Sequence, residues 1–158
     1  MINENLKLSG QLNIVLKDKD GNVKDTREVK NLVVQKGLEF IANRMVLDSG
    51  DTGGKGVMSH MALGSGGATA ASAGQTDLTT LLGSREALDS AAQVTGSLHK
   101  VEYTASFEAG DATGAVTEAG IFNAATSGDM LCRTTFSVVN KAADDTMSVT
   151  WTITLAAS

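Results

Sequence analysis

The chain has 158 residues, 42% hydrophobic and 20% charged, which suits one globular domain and argues against intrinsic disorder or collagen. It holds 17 Gly and no Pro, where average usage gives about 11 Gly and roughly 8 Pro, so it turns on glycine and small polar residues. A net charge of −5 leaves no obvious source for the basic patch of a duplex binder, one Cys excludes a disulfide framework or Cys-rich zinc site, and no apolar run nears the roughly 20 residues that span a bilayer.

Leu6, Leu8, Leu12, Ile14 and Leu16 are interleaved with polar residues such as Lys7, Ser9 and Gln11. That is the period of a strand with one buried face. Lys17 to Asn22 contains Asp20-Gly21, a tight-turn signal, and Val23 to Val29 reads as a polar, exposed return strand. Val34, Leu38, Ile41, Ala42 and Met45 then fall at helical spacing, which predicts one amphipathic helix over 35–47. The glycine-rich polar run Asp48 to Gly56 stops it as a flexible loop. Met58 to Leu63 is extended and apolar.

Gly64 to Gln75 (GSGGATAASAGQ) has no large side chain and is expected to be a long surface loop that adds little to a core. Thr76 to Leu82 is expected to make one helical turn. Val101, Tyr103, Ala105 and Phe107 alternate with polar partners. Val116 to Asn123 is a short apolar segment, and Met130 to Val139 follows the turn at Ser127-Gly128-Asp129. Met147, Val149, Trp151, Ile153 and Leu155 alternate with Ser148, Thr150, Thr152 and Thr154, a strand with an apolar face and a Thr-rich face that is solvated or meets another protein. The whole predicts a mainly β single domain over 1–158. It would be an antiparallel β-sandwich or jelly-roll with one helix, and residues 1–30 would form an N-terminal hairpin or arm.

Searches for chemistry fail in detail. Gly64-Ser65-Gly66-Gly67-Ala68-Thr69 starts like a dinucleotide fingerprint, but the third glycine is replaced by Thr69 and no long helix follows. Lys55 is followed by Gly56, where a phosphate loop needs Ser or Thr. Ser65 lacks a nucleophile elbow, since Leu63 stands where glycine should. Asp18, Asp20 and Gly21 have the wrong spacing for an EF-hand and read as a turn. His60 could join Asp48 or Asp51 on a metal, but His60 and His99 read first as histidines of a sheet surface or interface. Cys132 has no base or helix N-terminus nearby and is expected to be buried or half-buried. Trp151 is expected in the core. Aromatic residues make up only 4%, too few for the base-stacking platforms of a nucleic-acid binder or the aromatic platforms of a glycosidase. No enzyme activity, cofactor, metal site, nucleic-acid partner or membrane partner is expected. The start MINENLKLSG has an early Glu and no apolar core, so no secretory signal is expected.

Three segments carry a resemblance. They are Asn31–Ala42 (NLVVQKGLEFIA), Met58–Gly66 (MSHMALGSG) followed by Thr76-Asp77-Leu78, and Thr117–Ala124 (TEAGIFNA) with Gly128–Leu131, Arg133–Phe136 and Lys141–Leu155. In this order they resemble small virion proteins of tailed bacteriophages, both capsid cement or decoration proteins and tail-fibre-like proteins. The resemblance implies a non-enzymatic capsid cement protein that binds the major capsid protein lattice, with a tail-associated or tail-fibre-like protein as the alternative. It also implies location in the virion after synthesis in the host bacterial cytoplasm, a major capsid protein or other virion protein as partner, and a homodimer or homotrimer. Residues 1–16 could add a strand to a neighbour. The expected interface comprises Met1, Ile2, Leu6 and Leu8 of that arm and Asp51, Lys55 and Val57 of the loop after the helix.

Overall fold

The computed structural model describes residues 5–157. Nine strands and one helix follow in chain order: β1 (Leu6–Lys17), β2 (Val23–Val33), α1 (Gln35–Arg44), β3 (His60–Gly64), β4 (Glu86–Ala87), β5 (Ser90–Val94), β6 (Ser97–Phe107), β7 (Gly114–Phe122), β8 (Met130–Lys141) and β9 (Thr146–Ala157). Every strand pairing is antiparallel. The strand order β4-β3-β7-β8-β2-β1-β9-β6-β5 makes one curled sheet. Mainly β with one short helix and a sandwich-like form is the coarser part of the expected fold; the strand order does not establish a jelly-roll.

The two clearest alternating segments, from opposite ends of the chain, pair with each other. Leu12 faces Trp151, Ile14 faces Val149 and Leu16 faces Met147 across β1 and β9. Because the side-chain period is two, this register puts both apolar sets on one face. All six residues are buried, none more than 2% exposed. Phe107 and Ala105 of β6 extend the set, and Met61, Leu63, Val116, Ile121 and Cys132 meet it from the other side in one core cluster.

The β1–β2 hairpin closes at Asp18, whose Oδ1 accepts the backbone N–H of Asp20 and Asn22, both at 2.9 Å. β2 runs past its expected end. It pairs with β1 as far as Asn31, then Leu32 and Val33 pair with Arg133 and Cys132 of β8. One strand thus joins two layers, β2-β1-β9-β6-β5 and β4-β3-β7-β8. The expected free arm is corrected over Gly10 to Lys17, where β1 is paired on both sides, with β2 and with β9; Leu6 to Ser9 pair with β9 alone. β4 and β5, which patterning did not reveal, are the sheet's two edges.

The helix is shorter than the expected 35–47 and turned on its axis. Gly37 and Phe40 are its buried residues, whereas Leu38 is 42% and Met45 81% exposed. Gly37 explains the rotation. A Cβ there would stand 2.0 Å from the Leu131 carbonyl oxygen, so the missing side chain lets the helix backbone rest directly on β8. No helix among the described residues is long and apolar enough to cross a membrane.

Candidate interaction surface

The seating of α1 on β8 leaves a cleft between the helix and the strands β6 and β9. It encloses about 280 Å³, with Phe40, Ile41 and Met45 on the helix side and Val101, Tyr103 and Leu155 on the strand side. A second hollow of about 230 Å³ shares Phe40, Val101 and Tyr103 and reaches Val57, Met58 and the edge strand β5 at Ala91 and Gln93. Burial of the Tyr103 phenol pushes its pKa up to about 12. Met45 and Val57, 81% and 60% exposed, stand at the rims. A run of half-covered apolar surface of this kind is what a protein partner buries.

The loop after the helix is fastened to it. Asn43 donates through Nδ2 to the Gly53 carbonyl at 3.0 Å, and its Oδ1 accepts the Lys55 N–H at 3.0 Å. Lys55 is half-buried and its Nζ lies 2.8 Å from Asp129 Oδ2. Asp51 is exposed and accepts the N–H of Asp48 at 2.7 Å. Of the expected interface residues, Val57 lines the second hollow. Leu8 packs at the margin of the core opposite Leu155, which lines the first. Leu6 is exposed at the sheet margin. Met1 and Ile2 lie outside the described residues. Asp51 bonds within its own loop and Lys55 pairs with Asp129; neither lines either hollow.

A second constellation, which patterning missed, lies on the far side of β7 and β8. Glu118 and Arg133 are both fully buried, with Arg133 Nε donating to Glu118 Oε2 at 2.8 Å. Glu118 also accepts the backbone N–H groups of Gly66, Thr79 and Thr80 at 2.8, 3.1 and 2.8 Å. Arg133 donates to the carbonyls of Gly66 and Thr69 and to the side chains of Gln75 and Thr79. Burial pushes the Glu118 carboxyl pKa up, but the three N–H donors and Arg133 outweigh it and hold the group below its ordinary value. The partners are what make a buried ion pair tolerable, since the desolvation cost of an isolated pair exceeds its attraction.

This pair bears on two expectations. The run Gly64 to Gln75 is the expected surface loop along most of its length, but its start is anchored: Gly64 and Gly66 are buried, and a Cβ on Gly66 would come within 2.4 Å of Glu118 Oε1. Thr76 to Leu82 makes no helical turn. It runs alongside β3, with Ser65 N–H to the Thr80 carbonyl at 2.8 Å and Leu82 N–H to the Leu63 carbonyl at 2.9 Å. Leu78 seals a small second core with Val34, Ala62, Phe122 and Met130. Arg85 lies over the Phe122 ring, 3.6 Å from its centroid. The only sequence signal was a Glu and an Arg at positions of β7 and β8 where burial was otherwise continuous.

The remaining candidates line neither hollow and donate or accept no hydrogen bond in the Glu118–Arg133 network. Cys132 is buried, and burial raises its thiol pKa well above the ordinary value. Trp151 is fully buried. His60 is half-buried, its Nδ1 2.8 Å from Ser59 Oγ, and His99 is exposed. Among the described residues no three His, Cys, Asp or Glu side chains gather as a metal site would require. No family model, no curated protein and no solved structure matches this chain.

Proposed function

We propose that the protein is a non-enzymatic structural component of a tailed-phage virion, a cement or decoration protein that binds the major capsid protein lattice. The observation that carries the reading is the apolar cleft between α1 and the β6–β9 strands, continuous with the edge of β5. It supplies an apolar floor and, beside it, an unpaired strand edge, the two features by which a sheet protein takes up a segment of a neighbour. The resemblance in the three segments supports the same reading. Binding only to the assembled lattice would shift the equilibrium towards the intact shell by mass action, and homo-oligomers at lattice symmetry axes would multiply the effect.

The test is co-sedimentation of the purified protein with capsids and, separately, with tails, both purified from virions of a tailed phage that encodes it. The expected result is saturable binding to capsids and a higher temperature of shell disruption. Met45→Asp and Val57→Asp, both at exposed rims, should weaken binding at least tenfold without unfolding the chain. Binding to tails alone would replace the cement reading by a tail-associated one, and binding to neither would overturn both.

A further inference from the structure

A larger groove than either hollow lies elsewhere, on the outer face of the β2-β1-β9-β6 strands, and encloses about 660 Å³. Register determines its floor. Ser9 stands opposite Thr154, Gln11 opposite Thr152, and Asn13 follows on β1, so hydroxyl and amide groups alternate over neighbouring strands with no aromatic side chain among the lining residues. Three lysines rim this floor: Lys7 on β1, Lys30 on β2 opposite Gln11, and Lys100 on β6 opposite Thr154. None of them joins an ion pair among the described residues. In a chain of net charge −5, three uncommitted cations around one polar groove mark a place where negative charge is wanted.

The acidic neighbours limit what can bind. Glu28 stands opposite Asn13 and Glu102 opposite Thr152, so the local excess of positive charge is small. Lys30 and Lys100 are separated by three strand spacings across the sheet, about 14 Å, and by two residues along it, about 7 Å. A dense polyanion would meet the two carboxylates, and a nucleic acid would find nothing to stack on. A protein partner would find Leu8 as the one large apolar residue of the lining and no aromatic one, short of the anchor cluster that carries such interfaces. A chain of sugars with carboxylates spaced by neutral units meets both requirements, its hydroxyls on the Ser, Thr, Asn and Gln floor and its carboxylates on the lysine rim. We propose that this groove binds an acidic polysaccharide of the uronic-acid type. The inference does not depend on whether the chain joins a virion.

The test titrates the full chain with a hyaluronan octasaccharide, whose uronates alternate with neutral sugars. Maltooctaose, a twelve-residue polyglutamate and a single-stranded DNA 12-mer are titrated in parallel, all followed by amide chemical shifts. The expected result is shifts confined to Ser9, Gln11, Asn13, Thr152, Thr154 and their neighbours. Affinity for the octasaccharide should exceed that for maltooctaose at least tenfold and fall with added salt. The Lys7→Gln, Lys30→Gln, Lys100→Gln triple variant should bind at least tenfold more weakly at an unchanged melting temperature. Should that triple variant fold poorly, the single variants should each weaken binding. No binding at millimolar octasaccharide, shifts outside the groove, or unchanged affinity in the variants would overturn the proposal. Tighter binding of polyglutamate or DNA would overturn it in favour of an acidic protein or a nucleic acid.

Discussion

The two layers of this sheet solve the same problem in different ways. β9 buries Met147, Val149, Trp151 and Ile153 and turns Ser148, Thr150, Thr152 and Thr154 outward, the pattern of a strand with one face in water. β7 and β8 bury consecutive residues, Glu118 to Phe122 and Met130 to Thr134. Their second face is covered by the segment from Ser65 to Leu82, held by Glu118 and Arg133. A layer with one wet face needs only alternation. A layer whose second face is covered by irregular chain must also satisfy that chain's backbone, and here a buried ion pair supplies the donors and acceptors.

The sharpest way to break this contrast is Arg133→Ala. It strands a buried carboxylate and should cost about 3–5 kcal/mol, read by denaturant unfolding. Amide exchange should accelerate at Gly66, Thr79 and Thr80 before the rest of the sheet opens. Trp151→Ala should cost a similar total, about 3–5 kcal/mol from lost packing, yet leave those three amides as protected relative to the global unfolding as in the parent. If both variants gave the same exchange pattern, the covering segment would not be a separately held unit.

Gly37→Ala tests the helix seat between these extremes. The added methyl must displace the Leu131 carbonyl or lift the helix, at about 1–3 kcal/mol. A shift in Tyr103 ring resonances would report the altered cleft, and an unchanged melting curve would refute the close approach.

The pH dependence separates the layers further. The Glu118 pKa is lower folded than its ordinary 4.5. Its contribution is therefore complete above that value and disappears as pH falls through the lower folded value. The stability difference between the parent and Glu118→Gln should be constant near neutrality and shrink below pH 4.5, measured by urea unfolding at several pH values. The smallest effect belongs to the open layer. Thr152→Val, on the outer face of β9, should change stability by no more than about 0.5 kcal/mol.

The wet layer was legible because its information is local. Alternation in Leu12 to Leu16 and in Met147 to Leu155 names the strands and their inward faces, and the Asp18 turn closes the first hairpin. The helix was legible as a helix but not in its orientation. Of the apolar stripe Val34, Leu38, Ile41, Ala42 and Met45, only Val34 and Ile41 turn inward, and a strand backbone beneath Gly37 makes Gly37 and Phe40 the helix's buried residues. Of the expected interface residues, Val57 reached a cleft because it is apolar and next to the helix, whereas Lys55 was taken up by Asp129 across the fold. The Glu118–Arg133 pair was hidden, because its partners are backbone groups of a segment with almost no large side chains.

By itself, then, the sequence determined a mainly β chain with one helix, the inward faces of the strands β1, β6 and β9, and the burial of Trp151 and Cys132. These follow from residue periodicity and from the poor hydration of apolar side chains, both readable over a few residues. The tertiary structure alone decided that β1 would be an inner strand, that β2 would join two layers, and which face of the helix would be covered. It also decided that the glycine-rich run would become a lid bound to a buried ion pair, and that three lysines from three strands would rim one groove. Each of these depends on which distant segments become neighbours, a pairing that no short window of sequence contains.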